Sequence, residues 1–279
     1  MPSIVKDIID RYSGKSTHDL TTSEQFQLQV ALSIESGEDL RYEYRSIGKR
    51  NPSKIHEIPY LKSIFGPEIL YSKEILLTID DGYVEGITEA YCELICSLKV
   101  YAAFFLVGET VDEAVLLRLE KYTEYCSFYI HGYKHINLSK LSNGDLQNNC
   151  SLISKHNRIY FKKKVIRLPY GGGYNDPRVL SSLPSDLFNL HWNVNPEDYR
   201  FTAEYYETYG AEQISNLLTH LVLQNKSLDK GGIILMHQEN DSRGIKKEIS
   251  FLYIPQLINY LKSFQFDIID LRSKLFCRN

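Results

Sequence analysis

The chain has 279 residues, of which 43% are hydrophobic and 24% charged, and its formal net charge is −3. This composition suffices for one large hydrophobic core, and single α/β barrels commonly have this size. The small net charge and the lack of a basic block argue against binding to nucleic acid or to an anionic membrane surface. We therefore expect one catalytic domain with no nucleic-acid partner.

No segment approaches the roughly 20 apolar residues that a membrane-spanning helix needs, and the first residues lack a basic region followed by an apolar run. The five cysteines have no CxxC spacing and lie mostly in apolar segments. This pattern favours reduced core thiols over disulfides or a zinc cluster. These features predict a protein of the cytoplasm without a transmembrane segment.

Residues 1–70 are predicted to form a mainly helical extension and a connector. Apolar residues recur at helical spacing in 4–9, and a helix-start sequence opens a second apolar stretch at 22–32. Residues 46–68 contain several glycines and prolines, which is typical of an irregular connector. We expect the apolar faces of the two helices to pack on the main domain.

Residues 71–279 alternate between strand-like and helix-like segments. The predicted strands lie at 74–79, 100–107, 125–130, 163–168, 187–193, 232–236 and 265–270, and the predicted helices lie near 85–98, 111–122, 142–158, 210–228 and 249–263. Such alternation indicates a parallel sheet, and seven strands without a Rossmann glycine fingerprint favour a barrel over an open doubly wound sheet. Catalytic residues of such a barrel lie at the carboxyl ends of its strands.

The first predicted strand of the barrel ends in two adjacent carboxylates. The apolar run from Ile75 to Ile79 is followed directly by Asp80, Asp81 and Gly82. An Asp-Gly turn is the simplest explanation of this sequence by itself. A buried parallel strand also delivers acidic groups to the rim of a barrel in this way, and the polar residues that follow other predicted strands favour that second interpretation.

Two histidines follow the third predicted strand. His131 and His135 are four residues apart, so both side chains can project from one face of a helical turn and bind one divalent metal ion. Two surface histidines would give the same spacing. The carboxylate pair at the end of the first strand supplies the third ligand that a metal site needs.

Further polar residues follow the fourth, fifth and sixth predicted strands. An arginine at the end of a buried strand is costly unless it is paired, so we expect Arg167 to face a carboxylate in the mouth of the barrel. The acidic and aromatic segment 195–199 follows the fifth strand, and His237 follows the sixth. A single histidine such as His237 is more often structural, but polar groups at successive strand ends indicate one shared site.

The chain resembles the polysaccharide deacetylases, also called NodB-homology carbohydrate esterases, from about residue 73 to residue 271. The resemblance implies an α/β fold, a distorted (β/α)7 barrel with the N-terminal helical extension, and metal-dependent removal of an N- or O-acetyl group from a sugar. It is carried by five motifs that occur in the family's order, Thr78 to Gly82, His131 to His135, Arg167 to Tyr170, Asn195 to Tyr199, and Leu235 to His237.

The resemblance implies that Asp81, His131 and His135 bind the metal ion. Zinc is the expected ion, and cobalt, nickel or manganese would suit the same ligands. Asp80 is then expected to act as the general base, with Arg167 fixing its orientation and keeping it ionised.

The remaining implied roles concern the acyl group and the leaving group. His237 is expected to be the general acid, with Asp198 keeping its pKa high. The backbone N–H of Tyr170 is expected to stabilise the oxyanion. Leu235 and Tyr199 are expected to line a small pocket for the acetyl methyl group.

The sequence departs from the family pattern at several positions. Gly132 stands where Ser or Thr is usual, Ile130 where Asn is usual, Asn195 where Asp is common, and Tyr199 where Trp is common. A glycine triplet, Gly171 to Gly173, lengthens the loop that would carry the oxyanion donor. All groups assigned to the chemistry are present, which favours an active enzyme whose metal affinity and acyl pocket differ from those of its relatives.

Two alternatives stay open at this point. One is a catalytically weak barrel that binds carbohydrate, and the other is an amidohydrolase of a related barrel type that acts on a formamide or a cyclic imide. Loops 171–178 and 238–248 can cover the predicted mouth of the barrel. Together with the predicted location, they favour a soluble acetylated amino sugar or a short oligosaccharide over an insoluble glycan.

Overall fold

The computed structural model describes residues 3–37, 63–239 and 245–275. The predicted connector at 46–68 lies outside the described residues up to residue 62, and part of the predicted loop 238–248 lies outside them as well. Within the described part of the chain, no helix has the length and apolar character needed to cross a membrane.

The strands of the described chain all pair in parallel and form one sheet. Their order across the sheet is β1-β6-β5-β4-β3-β2-β7, and β8 pairs with β2. Their bounds are β1 Ser63–Ile64, β2 Glu74–Asp81, β3 Ala102–Leu106, β4 Cys126–Ile130, β5 Val165–Ile166, β6 Phe188–Leu190, β7 Gly232–His237 and β8 Asp267–Ile268.

The two ends of this sheet approach each other near Val194. The Val194 carbonyl accepts a hydrogen bond from Leu235 N–H at 2.9 Å, and Val194 forms a bridge to Ile234 of β7. Because β6 pairs with β5 and β1 while the segment after it meets β7, the sheet curves round into a distorted barrel. The predicted α/β barrel is therefore confirmed.

The helices surround the barrel. Their bounds are α1 Ile4–Tyr12, α2 Thr22–Ser36, α3 Gly66–Ile69, α4 Ile87–Ser97, α5 Glu113–Leu119, α6 Asn143–His156, α7 Pro177–Ser182, α8 Ala203–Leu223, α9 Lys247–Ser263 and α10 Arg272–Leu275. Helix α8 begins earlier than the predicted helix at 210–228, because Gly210, with φ 75, joins a preceding helical stretch to it.

Strand β2 is buried on both faces, as its continuous apolar sequence indicates. Ile75, Leu77 and Ile79 pack in the core beneath the outer helices, whereas Leu76 belongs to the cluster inside the barrel. Side chains alternate along a strand, so Leu76, Thr78 and Asp80 share the inner face. This alternation points one of the two adjacent carboxylates, Asp80, into the barrel mouth.

Candidate active site

The register of the sheet brings the sequence motifs to one edge of the barrel. Asp80 is level with His237 on β7, and Asp81 is level with Leu106 on β3. Leu106 is in turn level with Ile130 at the end of β4, so His131 begins the loop at the same height. The carboxyl ends of parallel strands thus assemble side chains that lie far apart in sequence.

Asp81, His131 and His135 form the cluster expected of a metal site. One potential ligand atom from each side chain lies within 4.8 Å of the others. His135 Nε2 is 3.5 Å from Asp81 Oδ1, and the two imidazole ring centroids are 5.3 Å apart. Two nitrogen donors and one carboxylate oxygen match the catalytic type of zinc site, which keeps a further position open.

The hydrogen bonding of His131 fits a ligand role. Its Nδ1–H donates to the carbonyl oxygen of Arg167 at 3.2 Å, because a carbonyl can only accept. Burial lowers the pKa of His131 to about 3, so the ring is neutral. The lone pair of Nε2 is therefore available on the side of the ring that faces the carboxylates, and the Arg167 carbonyl fixes that tautomer.

Asp81 shows two signs of a special environment. Its φ is 101°, in a region that residues other than glycine seldom adopt and that recurs at functional sites. Burial, together with the nearby Asp80 charge, raises the pKa of the Asp81 carboxyl, while His237 and His135 act in the opposite direction. A cation at this cluster would offset the cost of burying the carboxylate, which is a second reason that these residues fit a metal ion.

Asp80 forms a buried ion pair with Arg167. Arg167 Nη1 donates to Asp80 Oδ1 at 2.8 Å and lies close to Thr78 Oγ1 at 2.6 Å, while Nε donates to the carbonyl of Leu190 at 2.9 Å. The two charged side chains are 0% and 2% exposed, and the guanidinium lies 4.2 Å from the ring centroid of Phe105. The arginine is therefore fixed by strands and aromatic packing, and it holds the Asp80 side chain in place.

His237 and Asp198 form a second pair across the site. His237 Nδ1–H donates to Asp198 Oδ1 at 2.6 Å, and the backbone N–H of His237 donates to Oδ2 at 2.8 Å. Burial opposes a charge on His237, but the charge and hydrogen bond of Asp198 raise its pKa to about 9. The imidazole is thus protonated near neutral pH, with Nε2–H as its remaining donor.

The structure places the three residues expected to contact substrate at different depths. The ring of Tyr170 lies over His135 at a centroid distance of 4.4 Å, and the side chain is 64% exposed. Tyr199 stands edge-on to His237 at 5.4 Å and is partly exposed. Leu235 is buried in β7, level with Thr78 on β2. Tyr170 and Tyr199 therefore border the rim, whereas Leu235 lies in the wall.

Two of the glycines that depart from the family pattern have steric reasons. Gly132 has φ 68, and a Cβ there would lie 2.9 Å from Cγ of Pro169. Gly171 has φ 62, and a Cβ there would lie 2.7 Å from Cε1 of His191. The loops after β4, β5 and β6 therefore touch closely, and larger side chains at these positions would push them apart.

Sequence reasoning missed two buried polar residues beside the site. The ring of His191 is stacked between Tyr174 and Trp192 at 4.5 and 4.2 Å, and burial lowers its pKa to about 4. Gln238 is fully buried and donates from Nε2 to the carbonyl of Gly82. Both residues directly follow observed strands, His191 after β6 and Gln238 after β7, where polar residues tend to be functional. The predicted strand at 187–193 extended past His191, so that signal was hidden there.

Residues 70–183 match a family model described as polysaccharide deacetylase. This match confirms the family resemblance. The matched range includes the first three of the five motifs, and with them Asp80, Asp81, His131, His135 and Arg167. The motifs around Asp198 and His237 lie beyond it.

Among known proteins, the chain is 25% identical over 197 residues to the peptidoglycan-N-acetylglucosamine deacetylase PgdA of Listeria monocytogenes. That alignment covers 69% of this chain and 37% of the Listeria protein, so the chain spans little more than a third of that relative.

Solved structures of polysaccharide deacetylase relatives share the fold. One is a peptidoglycan N-acetylglucosamine deacetylase, with a TM-score of 0.62, 21% identity, and coverage of 79% of this chain and 96% of that chain. Another is a CE4 family pseudoenzyme from Bacillus anthracis, with a TM-score of 0.61, 18% identity, and coverage of 81% and 73%. At these identities the likeness establishes the architecture.

Proposed function

We propose that this chain is a metal-dependent hydrolase that removes an N- or O-acetyl group from an acetylated amino sugar or a short oligosaccharide. One edge of the barrel carries this proposal. It holds three side chains that could bind a metal ion, beside two buried carboxylates, one paired with an arginine and the other with a histidine. The deacetylase named among the relatives supports an acetylated sugar as the substrate class.

Asp81, His131 and His135 are the residues that would hold the ion. When bound, a divalent metal ion supplies Lewis acidity for the acyl oxygen and lowers the pKa of a water molecule. His131 contributes a neutral imidazole with its tautomer fixed by the Arg167 carbonyl. Asp81 contributes the anionic oxygen, and the partly exposed His135 completes the set next to the rim.

Asp80 is the proposed general base. Its Oδ1 is occupied by Arg167, while its Oδ2 lies 3.7 Å from His131 Nε2 and so faces the metal-ligand cluster. A carboxylate oxygen in that position can accept a proton from a water molecule that attacks the acetyl carbonyl. Arg167 keeps the carboxylate oriented during that transfer, because Thr78 and the Leu190 carbonyl hold the guanidinium itself.

His237 is the proposed general acid. Asp198 occupies Nδ1, so the proton available to the leaving group is the one on Nε2. Transfer of that proton to the departing amine nitrogen, or to the alcohol oxygen of an O-acetyl ester, completes cleavage. Asp198 keeps the ring in the orientation needed for the next cycle, since the backbone N–H groups of Tyr199 and His237 hold its carboxylate in place.

The acyl group would be held by residues around these two pairs. The backbone N–H of Tyr170 is proposed to donate to the oxyanion, and its φ of 58° sets the turn that carries this group. Leu235 and Tyr199 are proposed to enclose the acetyl methyl group. The exposed faces of Tyr170 and Tyr199 offer apolar surface to a sugar ring.

The experiment that tests this function combines elemental analysis of the purified protein with acetate release. The substrates are a monomeric acetylated amino sugar, its short oligomers, an O-acetylated sugar, solid chitin and cell wall. We expect about one metal ion per chain and faster acetate release from the soluble compounds. Faster release from the solid polymers would contradict the proposed substrate class.

Two further arms decide between the alternative functions. A formamide and a cyclic imide are assayed beside the acetyl compounds, and their faster hydrolysis would identify a related amidohydrolase. Binding of the oligosaccharides is measured separately by calorimetry. Saturable binding without turnover of any compound would identify a carbohydrate-binding barrel and refute a deacetylase.

A further inference from the structure

The N-terminal helices contact the barrel along α8. The Asp7 carboxylate of α1 accepts a hydrogen bond from the Tyr209 hydroxyl at 2.7 Å, and Arg11 Nη1 donates to the Tyr205 hydroxyl at 3.2 Å. Tyr205 and Tyr209 are one helical turn apart, so α1 follows a single face of α8. Helix α2 packs on α1 and also contacts α8, where Gln224 Nε2 donates to Ser33 Oγ at 3.1 Å.

The other end of α2 reaches the loop that carries Asp198. A capping box between Thr21 and Glu24 fixes the start of the helix. Ser23 and Gln27 lie four residues apart and therefore on one face. Ser23 Oγ donates to Glu197 Oε2, and Gln27 Nε2 donates to the same oxygen at 3.4 Å. Gln27 is one of the few buried polar residues of the extension.

Glu197 is held from the barrel side as well. Its backbone has φ 58°, and its N–H donates to Asn195 Oδ1 at 2.8 Å. Arg200 Nε lies 3.0 Å from Glu197 Oε2, the oxygen that Ser23 and Gln27 also contact. The Glu197 carboxylate therefore joins α2 to Arg200, while the backbone N–H of Glu197 ties the residue to Asn195 at the start of the turn.

The next residue along the turn is Asp198, which is 1% exposed. Its Oδ1 accepts hydrogen bonds from His237 Nδ1–H and from Tyr199 N–H, and its Oδ2 accepts one from His237 N–H. Glu197 and Asp198 are adjacent in one hydrogen-bonded turn, in which Arg200 N–H donates to the Glu197 carbonyl. We therefore expect a release of the Glu197 side chain toward solvent to shift the backbone of the turn and, with it, the carboxylate that orients His237.

We propose that the N-terminal helical pair is a positioning element of the reaction, in which Ser23 and Gln27 anchor Glu197 and thereby fix the Asp198 carboxylate against His237. This inference rests on the proposed function of the site. Ser23, Gln27 and Glu197 are positioning residues, since they act through the turn at 195–200. The extension is thus part of the catalytic apparatus, in addition to covering α8.

The test compares the Ser23→Ala, Gln27→Ala double variant with Ser33→Ala in the full chain. Ser33→Ala removes one hydroxyl from the same helix and breaks its bond to Gln224, but it lies away from the turn. We expect the double variant to have a kcat about fivefold lower, with KM changed by less than about twofold. A misplaced general acid stabilises the transition state less well but leaves substrate binding intact. Ser33→Ala should retain wild-type kcat.

Amide hydrogen exchange provides a second measurement, which does not depend on enzymatic activity. The amides of Tyr199 and His237 both donate to Asp198, so their exchange reports directly on the position of its carboxylate. We expect both amides to exchange about tenfold faster in the double variant, with no change in Ser33→Ala. Equal exchange and equal kcat in the wild type and the double variant would overturn the proposal, as would equal effects of the double variant and Ser33→Ala.

The kinetic and hydrogen-exchange measurements together distinguish a failure of the positioning role from a failure of the proposed function. If the wild type releases no acetate from any substrate, the proposed function fails, and the exchange rates still decide whether α2 fixes Asp198. If the wild type is active and the exchange rates do not respond, only the inference fails.

Discussion

Each of the two buried ion pairs at the barrel edge contains an aspartate, but the partner of that aspartate differs. Asp80 faces Arg167, whose guanidinium carries its charge at all ordinary pH values. Asp198 faces His237, whose pKa it raises to about 9. The first partner can only orient and stabilise a carboxylate, whereas the second can hold a proton and release it. The partner of the aspartate therefore distinguishes the proposed general base, Asp80, from the proposed general acid, His237.

The surroundings of the pairs reinforce that difference. Arg167 is completely buried, and strand groups hold it from two sides. The side chain of His237 is 15% exposed and borders the rim beside Tyr199. In the proposed mechanism the base must keep a fixed orientation toward water, whereas the acid must reach the leaving group at the opening of the barrel.

The largest expected effect comes from removing the permanent cation. Arg167→Met keeps an unbranched apolar side chain but removes the guanidinium group, so Asp80 stays buried without its partner. Breaking a buried pair in this way costs about 3–5 kcal/mol of folding free energy, and we expect chemical denaturation to show a loss of that size. Asp80→Asn, Arg167→Met should recover part of it. No loss of stability in the single variant would show that the pair is exposed to water.

The second prediction distinguishes a catalytic role of Asp80 from a structural one. Asp80→Asn keeps the shape of the side chain and removes its charge, so metal binding and fold should survive. Turnover should fall by a factor on the order of 100 or more, because the proton acceptor is lost. Steady-state kinetics and metal analysis of the same sample provide the measurement. Undiminished turnover would mean that the chemistry needs no protein base.

A smaller effect is expected for the Asp198–His237 pair, in the pH dependence of activity. The acid must be protonated, so activity of the wild type should fall as pH rises through about 9, the pKa of His237. In Asp198→Asn the largest of the effects that raise this pKa is gone while burial still lowers it, so the fall should occur at lower pH. At pH 8 we expect about a tenfold lower kcat. An alkaline limit that does not move would exclude His237 as the acid.

The sequence identifies much of this site because strongly apolar strands carry it. β2, β4 and β7 are continuous buried runs, so the polar residues at their ends stand out, as with Asp80, His131 and His237. The two-residue strand β1 was not predicted, since Ser63 and Ile64 fall in a segment whose glycines and prolines resemble a connector. Such short strands are set by pairing with a neighbour, here β6.

Contacts between distant segments are the part that sequence patterns could not reveal. Ser23 and Glu197 are 174 residues apart, and nothing in either local sequence indicates the other. The same holds for the stack of Tyr174, His191 and Trp192, which depends on how the loops after β5 and β6 fold together. Motif spacing thus predicts which groups share an edge of the barrel, whereas packing decides how they are held.

We propose above that Asp81, His131 and His135 form one metal site, next to which Asp80 acts as base and His237 as acid. The most direct measurement is the metal content of wild-type protein and of His131→Ala, each dialysed against zinc and then analysed beside its acetate release. We expect about one ion per chain in the wild type, and a sharp loss of both metal and turnover in the variant. A stoichiometric metal ion in His131→Ala would contradict it.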